Sequence, residues 1–130
     1  MRVLVVEDSE INRRIVREML GAGGLEVSEA EDGSVGLDMI ERHDYDLVLM
    51  DLRMPGMDGL TAIRRLRERP DAKARLPVIV ITADTSSTIQ ADCARAGADD
   101  LVLKPISMPA LYDAIGRTLA RGDADGLVLA

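Results

Sequence analysis

The stretch Asp46–Gly59, DLVLMDLRMPGMDG, decides the fold class that this sequence predicts. Its apolar run Leu47–Met50 is typical of a strand buried on both faces, and the run ends on an acid, Asp51. The segment that follows contains proline and two glycines, which favour a loop over helix or strand. An acid at the carboxyl end of a buried strand, next to a stiff loop, is well placed for a ligand-binding site.

Apolar runs of strand length recur along the chain, and a helical sequence follows each of them. The predicted strands are Val3–Val6, Leu25–Ala30, Leu47–Asp51, Val78–Thr82 and Leu101–Leu103. The first helix is capped by Asp8 or Ser9 and stopped by Gly21, Gly23 and Gly24; the others are Gly33–Arg42, Leu60–Arg69, Ser86–Ala96 and a helix from the cap Ser107 to about Arg121. This alternation predicts an α/β fold, a doubly wound five-stranded parallel sheet with five helices on its two faces.

The composition narrows the class of protein. A chain of 130 residues is long enough for one domain, and we expect a domain over residues 1–121 and a C-terminal tail over residues 122–130. Without Phe or Trp, its core must be aliphatic. Sixteen basic and 23 acidic residues give a net charge of −7, so we expect neither nucleic acid nor membrane as a partner. The single cysteine and the lack of a signal sequence are typical of a cytoplasmic protein.

Polar residues stand at the carboxyl ends of four predicted strands. Glu7 and Asp8 follow the first strand, Asp51 ends the third, Thr82 ends the fourth, and Lys104 follows the fifth. Because parallel strands present their carboxyl ends at one edge of the sheet, we expect these residues to meet. Three neighbouring carboxylates repel one another unless a cation binds, and Mg²⁺ suits a partly hydrated site of oxygen ligands. Together with the lysine and the hydroxyl, such a site favours phosphoryl transfer to Asp51.

The same residues resemble the receiver domain of two-component response regulators. The resemblance is carried by VLVVEDSEINRR at residues 3–14, VLMDLRMPGMDG at residues 48–59, Thr82-Ala83 and Lys104-Pro105. It covers residues 1–121, and the opening segment is similar to receivers attached to hybrid histidine kinases. The resemblance implies a flavodoxin-like fold with strand order 2-1-3-4-5 and a phosphoacceptor signalling function.

The resemblance also implies a role for each residue of the cluster. Asp51 is implied to be the phosphoacceptor, taking a phosphoryl group from a histidine kinase or a histidine phosphotransfer protein. The implied Mg²⁺ ligands are Glu7, Asp8, Asp51 and the backbone carbonyl of Arg53. Thr82 and Lys104 are implied to bind the phosphoryl group. Catalysis is limited to promoting self-phosphorylation and slow autodephosphorylation, so we expect a signalling domain rather than a conventional enzyme.

Two surfaces are implied to contact partner proteins. In similar receivers the first helix and the loop after the fifth strand bind the histidine donor, which assigns this role to Ile11, Pro105 and Ile106. Pro105 matches a proline that commonly follows the lysine in a cis peptide bond. The fourth helix, fifth strand and fifth helix are implied to bind a downstream protein, which the sequence does not name. The fourth helix has few large apolar residues, so we expect it to be loosely anchored.

One position departs from the family's pattern. Receivers usually carry Tyr, Phe or His three residues before the lysine, and this chain has Leu101 there. A leucine has no ring with which to report the state of Thr82, which leaves open a phosphorylation-independent interaction module with a silent site. Two further positions, Arg53 and Asp84, have opposite charges and flank the site. We hypothesise that they pair and shield an acyl phosphate on Asp51 from water.

Two enzyme classes are less well supported. A haloacid dehalogenase-type phosphatase or phosphotransferase carries a second acid two residues after its nucleophilic Asp, where this chain has Arg53. A Rossmann nucleotide-binding domain needs a G-x-G-x-x-G segment after the first strand, and none is present.

Several other residues have structural interpretations. We expect Asn12 to bind loop backbone beneath the acids. Met54 and Met57 are either core residues or exposed contacts for a partner. A basic cluster between residues 64 and 75 is interpreted as a solvated helix face, because no aromatic residues accompany it. It comprises Arg64, Arg65, Arg67, Arg69, Lys73 and Arg75.

Overall fold

The computed structural model describes residues 1–54 and 56–129, the last eight of these only as helical backbone. In these residues the chain alternates five β-strands with five α-helices. The strands are β1 (Arg2–Val6), β2 (Glu26–Ala30), β3 (Leu47–Asp51), β4 (Val78–Thr82) and β5 (Asp100–Leu103). The helices are α1 (Glu10–Ala22), α2 (Gly33–Arg42), α3 (Gly59–Arg67), α4 (Ser87–Ala96) and α5 (Met108–Leu129), with a short 3-10 helix (Ala72–Arg75) before β4.

The five strands form one parallel sheet in the order β2-β1-β3-β4-β5, which confirms the predicted fold. The half-polar strand β2 lies at an edge, and the uniformly buried strands β3 and β4 lie inside. The register pairs Val6 with Met50, and Thr82 with Leu103. It therefore brings the residues that follow β1 and β5 level with the ends of β3 and β4.

Two aliphatic cores cover the two faces of the sheet, as the composition predicts. One core joins the sheet to α1 and α5 through residues such as Val16, Leu20 and Leu111. The other joins it to α2, α3 and α4, where Ile40, Ile63 and Leu66 are fully buried. Helix α4 contributes only Cys93 and Ala96 as buried residues, which agrees with its expected weak anchoring.

The helix starts follow the capping residues of the sequence. Ser9 accepts a hydrogen bond from the backbone N–H of Asn12, and Asp58 accepts one from Thr61. At α4 the cap is Ser86, and the left-handed Gly97 ends the helix. Ser107 likewise accepts a hydrogen bond from Ala110 at the start of α5.

Other boundaries differ from the prediction. Helix α5 continues past the expected end near Arg121, to Leu129, so the proposed tail is helical in the described residues. Its separation from the domain at residue 121 stays a prediction, and Ala130 lies outside the described residues. The 3-10 helix occupies a segment predicted to be loop. No helix in the described part of the chain combines the length and apolarity needed to cross a membrane.

The interpretation of the basic cluster as a solvated face is wrong for two of its members. Arg67 donates hydrogen bonds to the carbonyl oxygens of Gly97, Ala74 and Leu76 and pairs with Asp99 at 3.0 Å. Lys73 donates to three carbonyl oxygens at the end of α2, the shortest at 2.7 Å. These side chains join separate elements because the chain folds back on itself, which helical periodicity does not record.

Candidate functional site

Three carboxylates meet at the carboxyl edge of the sheet, as the sequence predicts. Glu7, Asp8 and Asp51 each place one oxygen within 4.8 Å of the others. Glu7 and Asp51 are buried and Asp8 is exposed, so the cluster opens to solvent on one side. The arrangement follows from the register, because Glu7 comes directly after Val6 and Asp51 directly after Met50, the residue paired with Val6.

Lys104 reaches into the carboxylate cluster. Its Nζ lies 3.4 Å from Oδ1 of Asp51 and 3.6 Å from Oε2 of Glu7. Its backbone N–H donates to the carbonyl oxygen of Thr82 at 2.8 Å, which ties the end of β5 to β4. The Lys104–Pro105 peptide bond is cis, as the resemblance implies. The lysine therefore supplies one positive charge to a group of three carboxylates.

Burial and the neighbouring carboxylate of Asp51 change the protonation of Glu7. Burial, and then a hydrogen bond shared with Asp51, raise the pKa of Glu7 from 4.5 to about 7. Hydrogen bonding to Asn12 and the charge of Lys104 act in the opposite direction and do not cancel this rise. Below about pH 7 the cluster thus keeps a proton where a divalent cation with oxygen ligands would fit. The donor set is the one that a hard ion such as Mg²⁺ prefers.

Thr82, at the end of β4, is the remaining polar residue that the sequence predicts at this edge of the sheet. It is buried, and its Oγ1 accepts a hydrogen bond of 3.1 Å from the backbone N–H of Asp84. The Asp84 carboxylate accepts in turn from the backbone N–H of Ser86 at 2.8 Å, which lowers the pKa of Asp84. The hydroxyl oxygen is thus held in place while its own hydrogen stays available to a further acceptor.

Comparison with known proteins identifies this arrangement. The sequence pattern of the response regulator receiver domain matches residues 3–116. This chain belongs to the receiver domain family. Phosphoacceptor signalling is the function of that family, and the match decides against the phosphatase and dinucleotide-binding alternatives. The acidic cluster Glu7, Asp8 and Asp51 fits the Mg²⁺ site of such a domain.

Individual relatives range from single receivers to much longer proteins. The chemotaxis protein CheY of Bacillus subtilis is 36% identical over 119 residues, which are 91% of this chain and 97% of CheY. The response regulator PleD of Caulobacter vibrioides is 39% identical over 120 residues, 92% of this chain but only 26% of PleD. A solved receiver domain of a Pseudomonas aeruginosa sensor histidine kinase holds a magnesium ion in its active site cleft. It is 32% identical, with a TM-score of 0.83 over 92% of this chain and 97% of that one.

Two buried side chains and the close approach of Gly59 to the backbone determine the path of the loop after Asp51. Leu52 and Met54 are buried, so the interpretation of Met54 as an exposed partner contact is wrong. Met57 is partly buried against the same core. A Cβ atom at Gly59 would collide with the Asp51 carbonyl oxygen and lie 2.9 Å from the Cα of Leu52. Helix α3 can start this close to strand β3 only because Gly59 has no side chain.

Arg53 and Asp84 face each other across the mouth of the site, as hypothesised. The Arg53 Nη2 lies 4.0 Å from Oδ2 of Asp84, and the Arg53 side chain is 85% exposed. At this distance and exposure the pair contributes little to folding stability. Any effect of this pair must come from covering the site.

Helix α1 holds the acids differently from the prediction. Asn12 donates to the Glu7 carboxylate at 3.0 Å and not to loop backbone, so the predicted contact is wrong. The contact with loop backbone is made by Arg13, whose Nη1 donates to the carbonyl oxygens of Glu7 at 2.7 Å and Asp8 at 3.3 Å. Arg13 stands three residues before Val16 and seven before Leu20, the two buried residues of α1, so helical spacing puts it on the buried face, and its side chain is only 16% exposed. No motif in the sequence marks this contact, because it depends on how the long side chain folds back.

The mouth of the receiver site has an apolar side. Ile11 is 73% exposed, Pro105 is exposed and Ile106 is half-buried. A cavity of about 420 Å³ opens beside them, and it is lined by Asn12, Ile15, Ala83, Lys104, Pro105 and Ile106. Of the residues predicted to bind a partner, Pro105 and Ile106 therefore line the same cavity as Lys104 of the carboxylate cluster, and Ile11 precedes Asn12 in its wall.

Leu101 lies on the α4 side of the sheet, half-buried against the core. It lines a groove of about 340 Å³ between α4 and β5, together with Cys93 and Ala94 of α4. A leucine in this position leaves open space beside a helix that has only two buried residues. The element expected to respond to phosphorylation is therefore held by few buried side chains.

Proposed function

We propose that this receiver domain accepts a phosphoryl group on Asp51 from the phosphohistidine of a histidine kinase or histidine phosphotransfer protein. One observation carries the proposal: three carboxylates converge within 4.8 Å, and Lys104 lies 3.4 Å from the proposed nucleophile. Phosphoryl transfer depends mainly on positioning and on stabilising charge, and this group of residues supplies both.

The chemistry follows from the positions of the side chains. A carboxylate oxygen of Asp51 forms a bond to phosphorus as the phosphorus–nitrogen bond of the donor breaks, and the imidazole nitrogen keeps the electron pair. Lys104 moves from the carboxylates to an incoming phosphoryl oxygen, because that oxygen carries the greater negative charge. The Thr82 hydroxyl donates its hydrogen to a second phosphoryl oxygen, since its own oxygen already accepts from the backbone of Asp84.

The proposed cofactor is Mg²⁺. Its ligands would be Glu7, Asp8, Asp51 and the backbone carbonyl of Arg53, which follows Asp51 by two residues. When bound, the ion neutralises the repulsion between the carboxylates and the phosphoryl oxygens. A related receiver that holds magnesium in its active site cleft supports this choice of ion.

The proposed docking surface for the histidine donor contains Ile11, Pro105 and Ile106. These apolar side chains are accessible beside a cavity whose lining includes Lys104, the lysine that pairs with Asp51, which supports an approach of the donor histidine from this side. Relatives of both kinds, CheY and hybrid kinases, support a kinase or a phosphotransfer protein as the partner. A histidine kinase and a separate phosphotransfer protein would use the same surface.

The proposed output surface is the face formed by α4, β5 and α5, which binds a downstream protein. Its support is the weak anchoring of α4 and the groove beside Leu101. The test is hydrogen exchange of the protein with Mg²⁺ alone and after loading with beryllofluoride. Faster or slower exchange in α4 and β5 on loading supports a phosphorylation switch. Loading at Asp51 without any change there favours the alternative, a phosphorylation-independent interaction module with a silent site.

A further inference from the structure

Arg13 binds the two peptide groups on either side of Asp8. Its Nη1 donates to the carbonyl oxygen of Glu7 at 2.7 Å and to that of Asp8 at 3.3 Å. These carbonyls belong to consecutive peptide planes that meet at the Cα atom of Asp8. When both planes are directed at one nitrogen, the direction of the Cα–Cβ bond of Asp8 is fixed as well.

Asp8 needs such support more than the other two acids do. Glu7 accepts a hydrogen bond from Asn12 and pairs with Lys104, and Asp51 is buried beside the same lysine. In the described part of the chain, the Asp8 carboxylate has no hydrogen bond or ion pair of its own and is exposed. Its position is therefore set by its backbone, which Arg13 holds.

The Arg13 side chain is itself anchored to the sheet. Its Nε lies 3.4 Å from a carboxylate oxygen of Glu29 on β2, and Arg17 binds the other oxygen at 2.6 Å. The Arg13 side chain is 16% exposed, so solvent competes little for these contacts. Glu29 thus links the edge strand, two turns of α1 and the loop that carries Asp8.

We propose that Arg13 is a positioning residue that holds Asp8 ready to bind a divalent cation. This inference rests on the proposed function, because Asp8 is there a Mg²⁺ ligand. Side chains that orient a metal ligand without contacting the metal contribute substantially to metal affinity, because the site does not have to reorganise on binding. Loss of the guanidinium leaves Asp8 on a freer loop and weakens Mg²⁺ binding.

The test is an NMR titration of the unphosphorylated protein with MgCl₂, followed on the backbone amides of residues 7–10. We expect Arg13→Gln to raise the Mg²⁺ dissociation constant by about tenfold or more. Arg14→Gln is the matched control, because Arg14 is on the same helix, is 70% exposed and pairs with Glu18 on the surface. This control should change the dissociation constant by less than about twofold. If Arg13→Gln does not fold, Arg13→Met keeps the aliphatic stem and carries the same expectation.

A double-mutant cycle shows whether Arg13 acts through Asp8. In an Asp8→Ala background, which removes the oxygen ligand at this position, Arg13→Gln should change the Mg²⁺ dissociation constant by less than about twofold, because Arg13 then has no ligand to orient. A tenfold loss that persists in this background, or a wild-type affinity in the Arg13→Gln single variant, overturns the inference and leaves the proposed function intact. A wild-type protein that does not bind Mg²⁺ at all overturns both.

Discussion

The Nζ of Lys104 lies 3.4 Å from Oδ1 of Asp51, so the proposed phosphoacceptor at the end of the central strand is paired with a cation that follows the edge strand β5. The same lysine is 3.6 Å from Glu7. Its positive charge therefore lies beside two of the carboxylates that a metal ion would bind. On the proposed function, Lys104 and Mg²⁺ would compete for the carboxylates of the unphosphorylated protein, and a phosphoryl group on Asp51 would give both cations a common partner. The effects of removing each group follow from this competition.

Lys104→Met should strengthen Mg²⁺ binding while it slows phosphorylation. Removing the neighbouring positive charge favours the metal by at least about 1 kcal/mol, the interaction of unit charges 4 Å apart in water. Phosphorylation by a small phosphodonor slows, because the phosphoryl oxygen loses its lysine contact. The measurements are a Mg²⁺ titration and the phosphorylation rate. Lys73→Met is the control, since Lys73 binds carbonyl groups near the end of α2. Weaker Mg²⁺ binding in Lys104→Met would contradict the competition.

Stabilisation by Mg²⁺ should grow as the pH rises. The pKa of Glu7 is about 7 in the metal-free fold and 4.5 ordinarily. Between these values the folded protein keeps a proton that the unfolded chain has released, so metal-free stability falls as pH rises through this window. Mg²⁺ replaces that proton, and its increase of Tm should be larger at about pH 8 than at about pH 5.5. Glu7→Gln should flatten the pH dependence of metal-free stability. Equal Tm shifts at both pH values in the wild type would refute this explanation.

Gly59→Ala should destabilise the domain, because the new methyl group meets the backbone of Asp51 and Leu52. Overpacking against backbone costs about 1–3 kcal/mol. Gly21→Ala is the matched control, since nothing lies within 4 Å of a Cβ at this position of α1. That change should stabilise the fold by about 0.5–1 kcal/mol through helix propensity. Urea denaturation of both variants gives the comparison, and equal stabilities would show that the close approach at Gly59 can relax.

Arg53→Ala should shorten the lifetime of the acyl phosphate on Asp51. Arg53 and Asp84 stand 4.0 Å apart over the site, and removing the arginine opens a path for water. The rate of dephosphorylation after removal of the phosphodonor should rise several-fold, with little change in Tm because the arginine is 85% exposed. Arg64→Ala, an exposed change on α3, should leave the rate unaltered. An unchanged dephosphorylation rate in Arg53→Ala would show that Arg53 does not shield the acyl phosphate from water.

The meeting of the site residues at one edge was predictable, because it depends on the topology of the sheet more than on side-chain conformations. Once alternating strands and helices indicate a parallel sheet, residues after different strands must meet at one edge. The sequence placed Glu7, Asp51, Thr82 and Lys104 there without any side-chain geometry. The aliphatic core followed from the composition, which lacks Phe and Trp.

The hydrogen bonds that hold the loops and helices around the site were not predictable, because they depend on long side chains that reach from one element to another. The run of basic residues indicates a solvated face for Arg67, and no motif marks Arg13, yet both side chains turn to bind backbone carbonyl groups. Gly59 was interpreted only as part of a loop, although its lack of a Cβ allows α3 to approach β3. The burial of Met54 was not predictable either, because the path of the loop determines which of its side chains face the core.

The most direct test of the central claim is the intact mass of the protein after incubation with Mg²⁺ and a small-molecule phosphodonor. The wild type should gain the mass of one phosphoryl group, and the adduct should be lost in alkali, as expected for an acyl phosphate. Asp51→Asn should gain nothing under the same conditions, and omission of Mg²⁺ should suppress the reaction. A wild type that stays unmodified, or an Asp51→Asn variant modified to the same extent, would contradict the assignment of Asp51 as the phosphoacceptor.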